Sequence, residues 1–506
     1  LQSKHKHSNL ALYLRHSLKI NGKIKWLFNT IVLLATLLAQ DCFAQQIIWA
    51  NKNKLDKRTD FTKVVGQNRF GVYVLKHKNS NFRRYYILEH FDKKMNLLKS
   101  KTFRIPNAEL EKIVVHSGGI TVFTREYIKG RFSRLLWQNI DSAMNESAAK
   151  AVFGNSGNES EISNIRIEYS LHRDKFLLWY LMEENEKTKL YFHLLSRTAK
   201  IREGSAVIDR KPSDLFIGDA LTDDSGNLYV LYTRSSKFKS KLAADFEHRL
   251  LALNTSDLKE KDLLINNPET FFSSYKLSFN PDFQTVTAFG LTGQTDEDDN
   301  KGYFTIRMRC SDFKVISNEF TDIDRKMVAQ VIGIKNEQKG EALSKFKIKK
   351  LIPKTDGGLM AICERMFITT QSEIFYVNGI PQSSYARIFN NDEVMVLNLD
   401  SNGVPLWSDI ITKNQSSVND GGYFNGIVIM VNEDDVVILY NDKISANADI
   451  IQITYKADGS HNKKILMNNE QFYALVIPSE YNQVSANSIV IPVTQNRDYT
   501  YIKILY

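Results

Sequence analysis

Phe176-Leu177-Leu178-Trp179-Tyr180-Leu181 puts six apolar residues in a row, directly after the polar turn His172-Arg173-Asp174. A strand with one face in water alternates apolar and polar side chains, so an unbroken run marks a strand covered on both faces. The run recurs along the chain. Phe70–Leu75, Ile120–Thr124, Leu228–Tyr232, Thr285–Leu291, Leu359–Cys363, Val436–Tyr440 and Ile489–Val493 read the same way. Most follow a turn rich in Gly, Asn or Asp, such as Ser117-Gly118-Gly119, Asp223-Asp224-Ser225-Gly226 or Asp356-Gly357-Gly358. Those residues supply the backbone angles a tight hairpin needs.

A second family of segments follows the first: Tyr85–Phe91, Arg134–Ile140, Lys189–Leu195, Arg249–Asn254, Tyr303–Cys310, Glu393–Leu399, Ile450–Tyr455 and Tyr499–Leu505. Most end at a turn carrying Asp or Ser, among them Asp92, Asp141, Ser196, Asp257, Asp312, Asp400 and Asp458. Each unit then has an alternating strand, a continuously apolar one, another alternating one and a short fourth. Eight units share residues 45–506 at about 58 residues each, the signature of a repeat architecture. Four antiparallel strands repeated in this way predict an all-β fold, a β-propeller of about eight four-stranded blades, with seven blades as the runner-up. Blades stack face to face, which explains second strands apolar on both sides. The eighth unit runs out after its third strand, and Gln46-Ile47-Ile48-Trp49 is a strand without a unit. It is expected to supply the missing fourth strand and close the ring, removing open edges. An outer-membrane barrel is the rival, since the sequence ends on an alternating aromatic strand. Barrel strands alternate lipid-facing and lumen-facing residues, and Phe176–Leu181 does not.

Two segments break the pattern. Ile323 to Ile334 has near-helical apolar spacing, which predicts a helical insertion at about 321–345. Residues 365–392 are read as a long loop holding Phe367, Phe375, Tyr376, Tyr385 and Phe389.

Residues 1–44 carry six basic residues and one acid, with an apolar run from Trp26 to Ala39. A basic start, a short apolar stretch and a small residue at Ala44 describe a secretory signal. The run is too short to span a bilayer, which takes about 20 residues. Cleavage is expected after Ala44, giving an exported protein located in the periplasm, at the outer membrane or outside the cell, with no transmembrane segment. Asp41 before Cys42 argues against lipidation there. Of the net charge of +10, residues 1–44 hold +5, so +5 remains on the rest. That is no nucleic-acid-binding composition. The remaining cysteines, Cys310 and Cys363, are either a disulfide pair or two buried thiols.

Thr222-Asp223-Asp224-Ser225-Gly226-Asn227-Leu228-Tyr229-Val230 resembles the turn and strand of NHL-type propellers. Leu399-Asp400-Ser401-Asn402-Gly403-Val404-Pro405-Leu406-Trp407 resembles the turn of quinoprotein-like propellers and of secreted bacterial propellers. These resemblances imply the fold and no activity.

Catalytic signatures are sparse. The sequence has no dinucleotide-binding glycine pattern, no phosphate-binding loop and no nucleophile elbow, and its histidines are scattered. Asp296, Asp298 and Asn300 alternate as oxygen ligands for Ca²⁺ would, although Arg307 stands where a calcium loop needs an acid. No other cofactor is indicated. All loops from second to third strands leave a propeller on one face. Several are basic. Lys76, Lys78, Arg83 and Arg84 come from unit one, Arg125, Lys129, Arg131 and Arg134 from unit two, and Arg234, Lys237, Lys239, Lys241 and Arg249 from unit four. With Tyr376 and Tyr385 they suggest a face for an anionic polysaccharide, a lipid head group or an envelope protein. The expected function is a non-catalytic binding or scaffold module. The alternative is a polysaccharide-active hydrolase or lyase with its site in the central channel, for which Glu168 and Asp219 are the candidate acids.

Overall fold

In the computed structural model of the chain, the strand Lys175–Glu184 serves two cores at once. Leu177, Trp179 and Leu181 pack with Leu228, Val230 and Tyr232. Phe176, Leu178 and Tyr180 pack with Phe123, Leu135 and Trp137. The strand that follows in the next unit repeats the division, since Tyr229 and Leu231 turn away to join Val286, Ala288 and Phe304. A strand whose two faces feed two cores has no place for a polar residue, which is the physical origin of the unbroken apolar runs.

The structure describes residues 45–51, 53–54, 59–80, 83–104, 108–128, 131–154, 162–184, 187–208, 215–235, 245–265, 270–293, 299–377, 380–433, 435–445, 448–468, 472–495 and 498–506. The expected signal, 1–44, lies outside them. The chain divides into two compact units, residues 1–47 with 504–506, and Ile48–Lys503. In the first, the Tyr506 phenol is half-buried, which pushes it above its ordinary range, with the Gln45 side chain as its hydrogen-bond partner.

The second unit holds the propeller. Sheet 1 runs Thr59–Asn68, Gly71–Ser80, Arg83–Phe91, Leu97–Arg104, and sheet 2 runs Ala108–His116, Gly119–Ile128, Arg131–Ile140, Lys150–Gly154. Sheet 3 is Ile162–Tyr169, Lys175–Glu184, Lys187–Ser196, Lys200–Ile208, and sheet 4 is Leu215–Thr222, Leu228–Ser235, Phe246–Leu253, Glu260–Ile265. Sheet 5 takes Phe271–Asn280, Thr285–Gly293, Gly302–Arg309 and Val315–Asp322. Sheet 6 takes Phe346–Pro353, Leu359–Val377, Ile380–Leu399 and Pro405–Ile411, with Gln415–Val418 added. Sheet 7 is Val428–Val431, Asp435–Asn441, Ile450–Lys456, His461–Met467. In sheet 8, Ala474–Val476 and Asn482–Ser485 both pair with Ser488–Gln495, then come Asp498–Leu505 and Gln46–Trp49. All eight expected units are present, so the seven-bladed reading and the barrel are set aside.

Closure is by the early strand, as expected. Asn53 and Lys54 pair with Tyr499 and Asp498, and the Ala50 amide donates to the Tyr501 carbonyl at 2.9 Å. Sheet 8 then packs on sheet 1, with Ile477, Val490 and Tyr501 against Val64, Val72 and Phe91. The helical insertion is also present, as α1 (Arg325–Ile332) and α2 (Ile334–Gln338). The Asp324 side chain caps α1 by accepting from the Lys326 amide, and Met327 and Val328 are buried against the core between sheets 5 and 6. Among the described residues no helix is long and apolar enough to cross a membrane. Cys310 and Cys363 are free and buried, in different cores.

The segment read as a long loop, 365–392, is not one. It is the outer part of two strands, Leu359–Val377 and Ile380–Leu399, paired along their length as far as Val377 and Ile380. Its β-branched and aromatic residues favour an extended ribbon, and the sequence between the two strands, Asn378-Gly379, is a short hairpin signal.

Candidate functional site

First strands of several neighbouring sheets meet, those of sheets 1 and 2, 3 and 4, 4 and 5, and 5 and 6, as expected around a propeller's central channel. Six carry a register shift at a similar level. It falls between Val64 and Gly66, Leu110 and Lys112, Ser163 and Arg166, Ile217 and Asp219, Phe272 and Ser274, and Ile348 and Lys350. An extra residue bends a strand and re-aims the side chains beyond it. In sheet 3 the shift includes Asn164 in the left-handed region at φ 51°, a conformation Asn tolerates better than most residues. In sheet 4 it is Gly218, where a Cβ would lie 1.7 Å from the Tyr275 ring, so no larger residue fits.

Beside these shifts, the first strands of sheets 1, 2 and 3 and the turn Pro478–Glu480 of sheet 8 enclose a cavity of about 790 Å³. Its walls are Val65, Ile113, Ile165 and Ile167, and its charged groups include Lys63, Lys112, Arg166, Glu168 and Glu480. Glu168 is half-buried. Burial raises its carboxyl to about 7, with Lys112 opposing the rise, Asp219 adding to it and Arg166 opposing it. Burial also raises Asp219, although its carboxylate accepts from the Leu277 amide at 2.7 Å. The two acids nominated for the channel do stand on neighbouring first strands. The cations around them, Lys63, Lys112 and Arg166, were not foreseen, because a one-residue shift leaves little trace in an alternating sequence.

The second site is the arm formed by the outer parts of Leu359–Val377 and Ile380–Leu399. Phe346–Pro353 pairs with the arm only as far as Arg365, and Gln415–Val418 pairs with Ile388–Asn391. Farther out the two strands pair only with each other among the described residues. Ile368, Ile374 and Tyr385 are 59%, 70% and 68% exposed. At the arm's base is a cavity of about 600 Å³ walled by Met366, Phe367, Phe389, Ile429 and Tyr481. Beneath it lies a buried ionic network. The ammonium of Lys413 is 2.8 Å from Glu364 Oε1, and both side chains are fully buried. Lys349 is 3.2 Å from Glu364 Oε2, and Asn391 donates to the same oxygen at 3.0 Å. Lys413 also donates to the Asn391 carbonyl at 2.7 Å and to Gln415 at 3.0 Å. Burial pushes the Glu364 carboxyl up, but Lys413 and Lys349 outweigh it and hold it below the ordinary carboxylate range.

The residues nominated from sequence are placed as follows. Arg125 is ion-paired with Glu111 at 2.5 Å and Arg134 with Glu126, which reduces the charge each offers outward. Arg249 pairs with Asp262 at 2.9 Å. Lys129, Lys237, Lys239, Lys241, Asp296 and Asp298 lie outside the described residues, as do the side chains of Arg131 and Tyr376. Tyr385 is on the exposed arm. Asn300 is fully buried. It donates to Ser273 at 2.6 Å and accepts from the Phe346 amide at 2.8 Å, anchoring the strand that follows the insertion. No group of three or more metal-ligating side chains occurs among the described residues. His116 and His193 are buried and His248 is half-buried, and loss of solvent pushes each down to about 4.

No family model matches the chain, and no curated protein matches it. Solved structures resemble it at low identity. The β-propeller domain of Nup133 from Vanderwaltozyma polyspora is 10% identical, with a TM-score of 0.41, covering 85% of this chain and 99% of that one. Prolyl oligopeptidase B from Galerina marginata is 10% identical at a TM-score of 0.38, covering 88% of this chain and 55% of that one. The chain spans about half the length of the prolyl endopeptidases it matches.

Proposed function

We propose that this propeller is a non-catalytic binding module that takes a segment of a partner protein along its arm. The observation that carries the reading is the ribbon beyond Arg365 and Ile388, whose outer backbone edges have no strand beside them among the described residues. Unpaired edges are templates for an added strand, with main-chain hydrogen bonds giving affinity and side-chain pockets giving selectivity. Exposed Ile368, Ile374 and Tyr385 supply apolar area beside those edges. The ribbon is nearly uncharged, with Glu373 and Arg387 as the ionic residues of 366–391, which favours a protein segment over an anionic polymer. Under this reading the exported setting expected from residues 1–44 makes the partner an envelope or extracellular protein. The basic residues Lys129, Arg131, Lys237, Lys239 and Lys241 are secondary contacts for an acidic partner.

The test replaces 368–388 by a two-residue turn and compares it with the full chain for strand-forming peptides and envelope proteins bound in solution. Loss of the bound partner in the shortened protein, and in Ile374→Ser with Tyr385→Ser, supports the reading. A partner retained by both variants overturns it.

A further inference from the structure

The charges lining the channel cavity are not equivalent. Glu111 is occupied by Arg125 at 2.5 Å. Lys112 donates to the Ile167 carbonyl, and Arg173 donates to the Val115 carbonyl at 3.1 Å. Both cations lie over the Tyr169 ring, at 5.0 and 5.4 Å from its centroid. They are held by the wall. Lys63 acts on Glu480, opposing the rise of its carboxyl, which leaves Arg166. It is exposed, lines the cavity, and has no hydrogen-bond or ion-pair partner among the described residues. It stands directly after the sheet 3 register shift, which gives it its direction.

An unpaired guanidinium in a concave wall of mixed polar and apolar surface is a planar fork for a carboxylate. The surrounding acids limit how much negative charge can enter. Glu168 and Glu480 line the same cavity, and burial raises both carboxyls. A dianion would meet these carboxyls, whereas a monoanion needs only the one fork. The remaining polar groups suit hydroxyls. Glu168 is without a hydrogen-bond partner among the described residues. Asn482 spends its amide nitrogen on the Val64 and Val65 carbonyls at 3.3 and 3.2 Å, leaving its oxygen to accept. The cavity size, about 790 Å³, is that of an ordinary small-molecule site.

We propose that this cavity binds a sugar acid, with its carboxylate on the Arg166 guanidinium and its hydroxyls on Glu168 and the Asn482 oxygen. The site is independent of the arm, so either reading can fail without the other.

Glucuronate and galacturonate are the probes, titrated by calorimetry into the full chain beside glucose, with an oligogalacturonide as a separate arm. Monomer binding points to a free acid. Oligomer binding without monomer binding points to a polymer-borne one, and either supports the proposal. Arg166→Met is expected to weaken the acids at least tenfold with an unchanged melting temperature, and Arg166→Lys to weaken them less. Glu168 faces Lys112 on sheet 2, Arg166 on its own strand and Asp219 on sheet 4. Above about pH 7 its carboxylate opposes the ligand's. Affinity should therefore fall from pH 6 to pH 8 in the native protein and stay level in Glu168→Gln. Glucose binding as well as the acids, acid binding indifferent to both Arg166 variants, or no binding of monomer or oligomer would overturn the proposal.

Discussion

The two faces of the propeller spend their polar groups differently. On the face where first strands turn into second and third into fourth, one device repeats. Asp92 accepts from the Lys94 and Asn96 amides, both at 2.8 Å. Asp400 accepts from Asn402 and Val404 at 2.8 and 2.9 Å, and Asp458 from Ser460 at 2.9 Å. Other side chains near this face reach the next sheet. Asn68 donates to the His116 carbonyl, Asn280 to the Lys354 carbonyl, and Arg307 to the Ser401 carbonyl, at 3.0, 2.8 and 3.1 Å. Trp407 donates to the Ala457 carbonyl at 3.0 Å and lies over Gly459, where a Cβ would come within 2.8 Å of its ring. The opposite face bears the arm, with a buried ionic network at its base. A face whose turns satisfy themselves has little left to offer a ligand. The arm keeps unpaired edges, with a fully buried ionic cluster beneath them.

Breaking that cluster should have the largest effect. Lys413→Met leaves Glu364 buried with Lys349 as its remaining cation and Asn391 as its remaining donor. Removing one partner of a buried pair costs about 3–5 kcal/mol, to be read from the urea midpoint. A loss under about 1 kcal/mol would mean the two faces are equally redundant. Asp223→Ala tests the other face. Asp223 is fully buried and accepts from the Ser225 and Asn227 amides and from the Tyr229 hydroxyl at 2.9, 3.0 and 3.0 Å. Orphaning those donors should cost about 1–3 kcal/mol by the same measurement. Asp400→Ala, at a more exposed turn, should cost about 1 kcal/mol. Ile374→Ser with Tyr385→Ser should stay within about 0.5 kcal/mol while partner binding is lost, which separates stability from function on the arm face.

The smallest effect is a pH slope. Burial alone would raise Asp92, but hydrogen bonds from the Asn96 side chain and from the Asn96 and Lys94 amides outweigh it and lower the carboxyl. A folded value below the unfolded one adds stability that is fully present above about pH 4 and is lost as pH falls through the folded value. Asp92→Asn should remove a small part of the stability difference between pH 5 and pH 3. An unchanged difference would show that the turn carboxylate holds its loop without its charge.

The sequence showed these faces unequally. All eight apolar second strands were legible, because burial on two sides erases alternation, as in Phe176–Leu181. The Asp turns were legible because their spacing repeats. The arm was misread as a loop because Ile374, Phe375 and Tyr376 look like packing residues, and Asn378-Gly379 passed without notice. The channel was legible only in Glu168 and Asp219. Arg166 reads as any exposed strand cation, since its direction depends on the register shift at Asn164. The buried Glu364–Lys413 pair joins residues far apart in the chain, and no local pattern announces it.

The closing sheet has a consequence in time. It needs Ala50 beside Tyr501, while the Thr500 hydroxyl donates to the Ala50 carbonyl at 2.9 Å across 450 positions. Sheets 1 to 7 can each form from a stretch of contiguous chain as it emerges. The last cannot, and until it forms, sheets 1 and 8 lack each other's apolar faces. Pairings of such separation form late. A growing chain would therefore carry seven formed sheets and two unsealed flanks until the final residues of the ring are made.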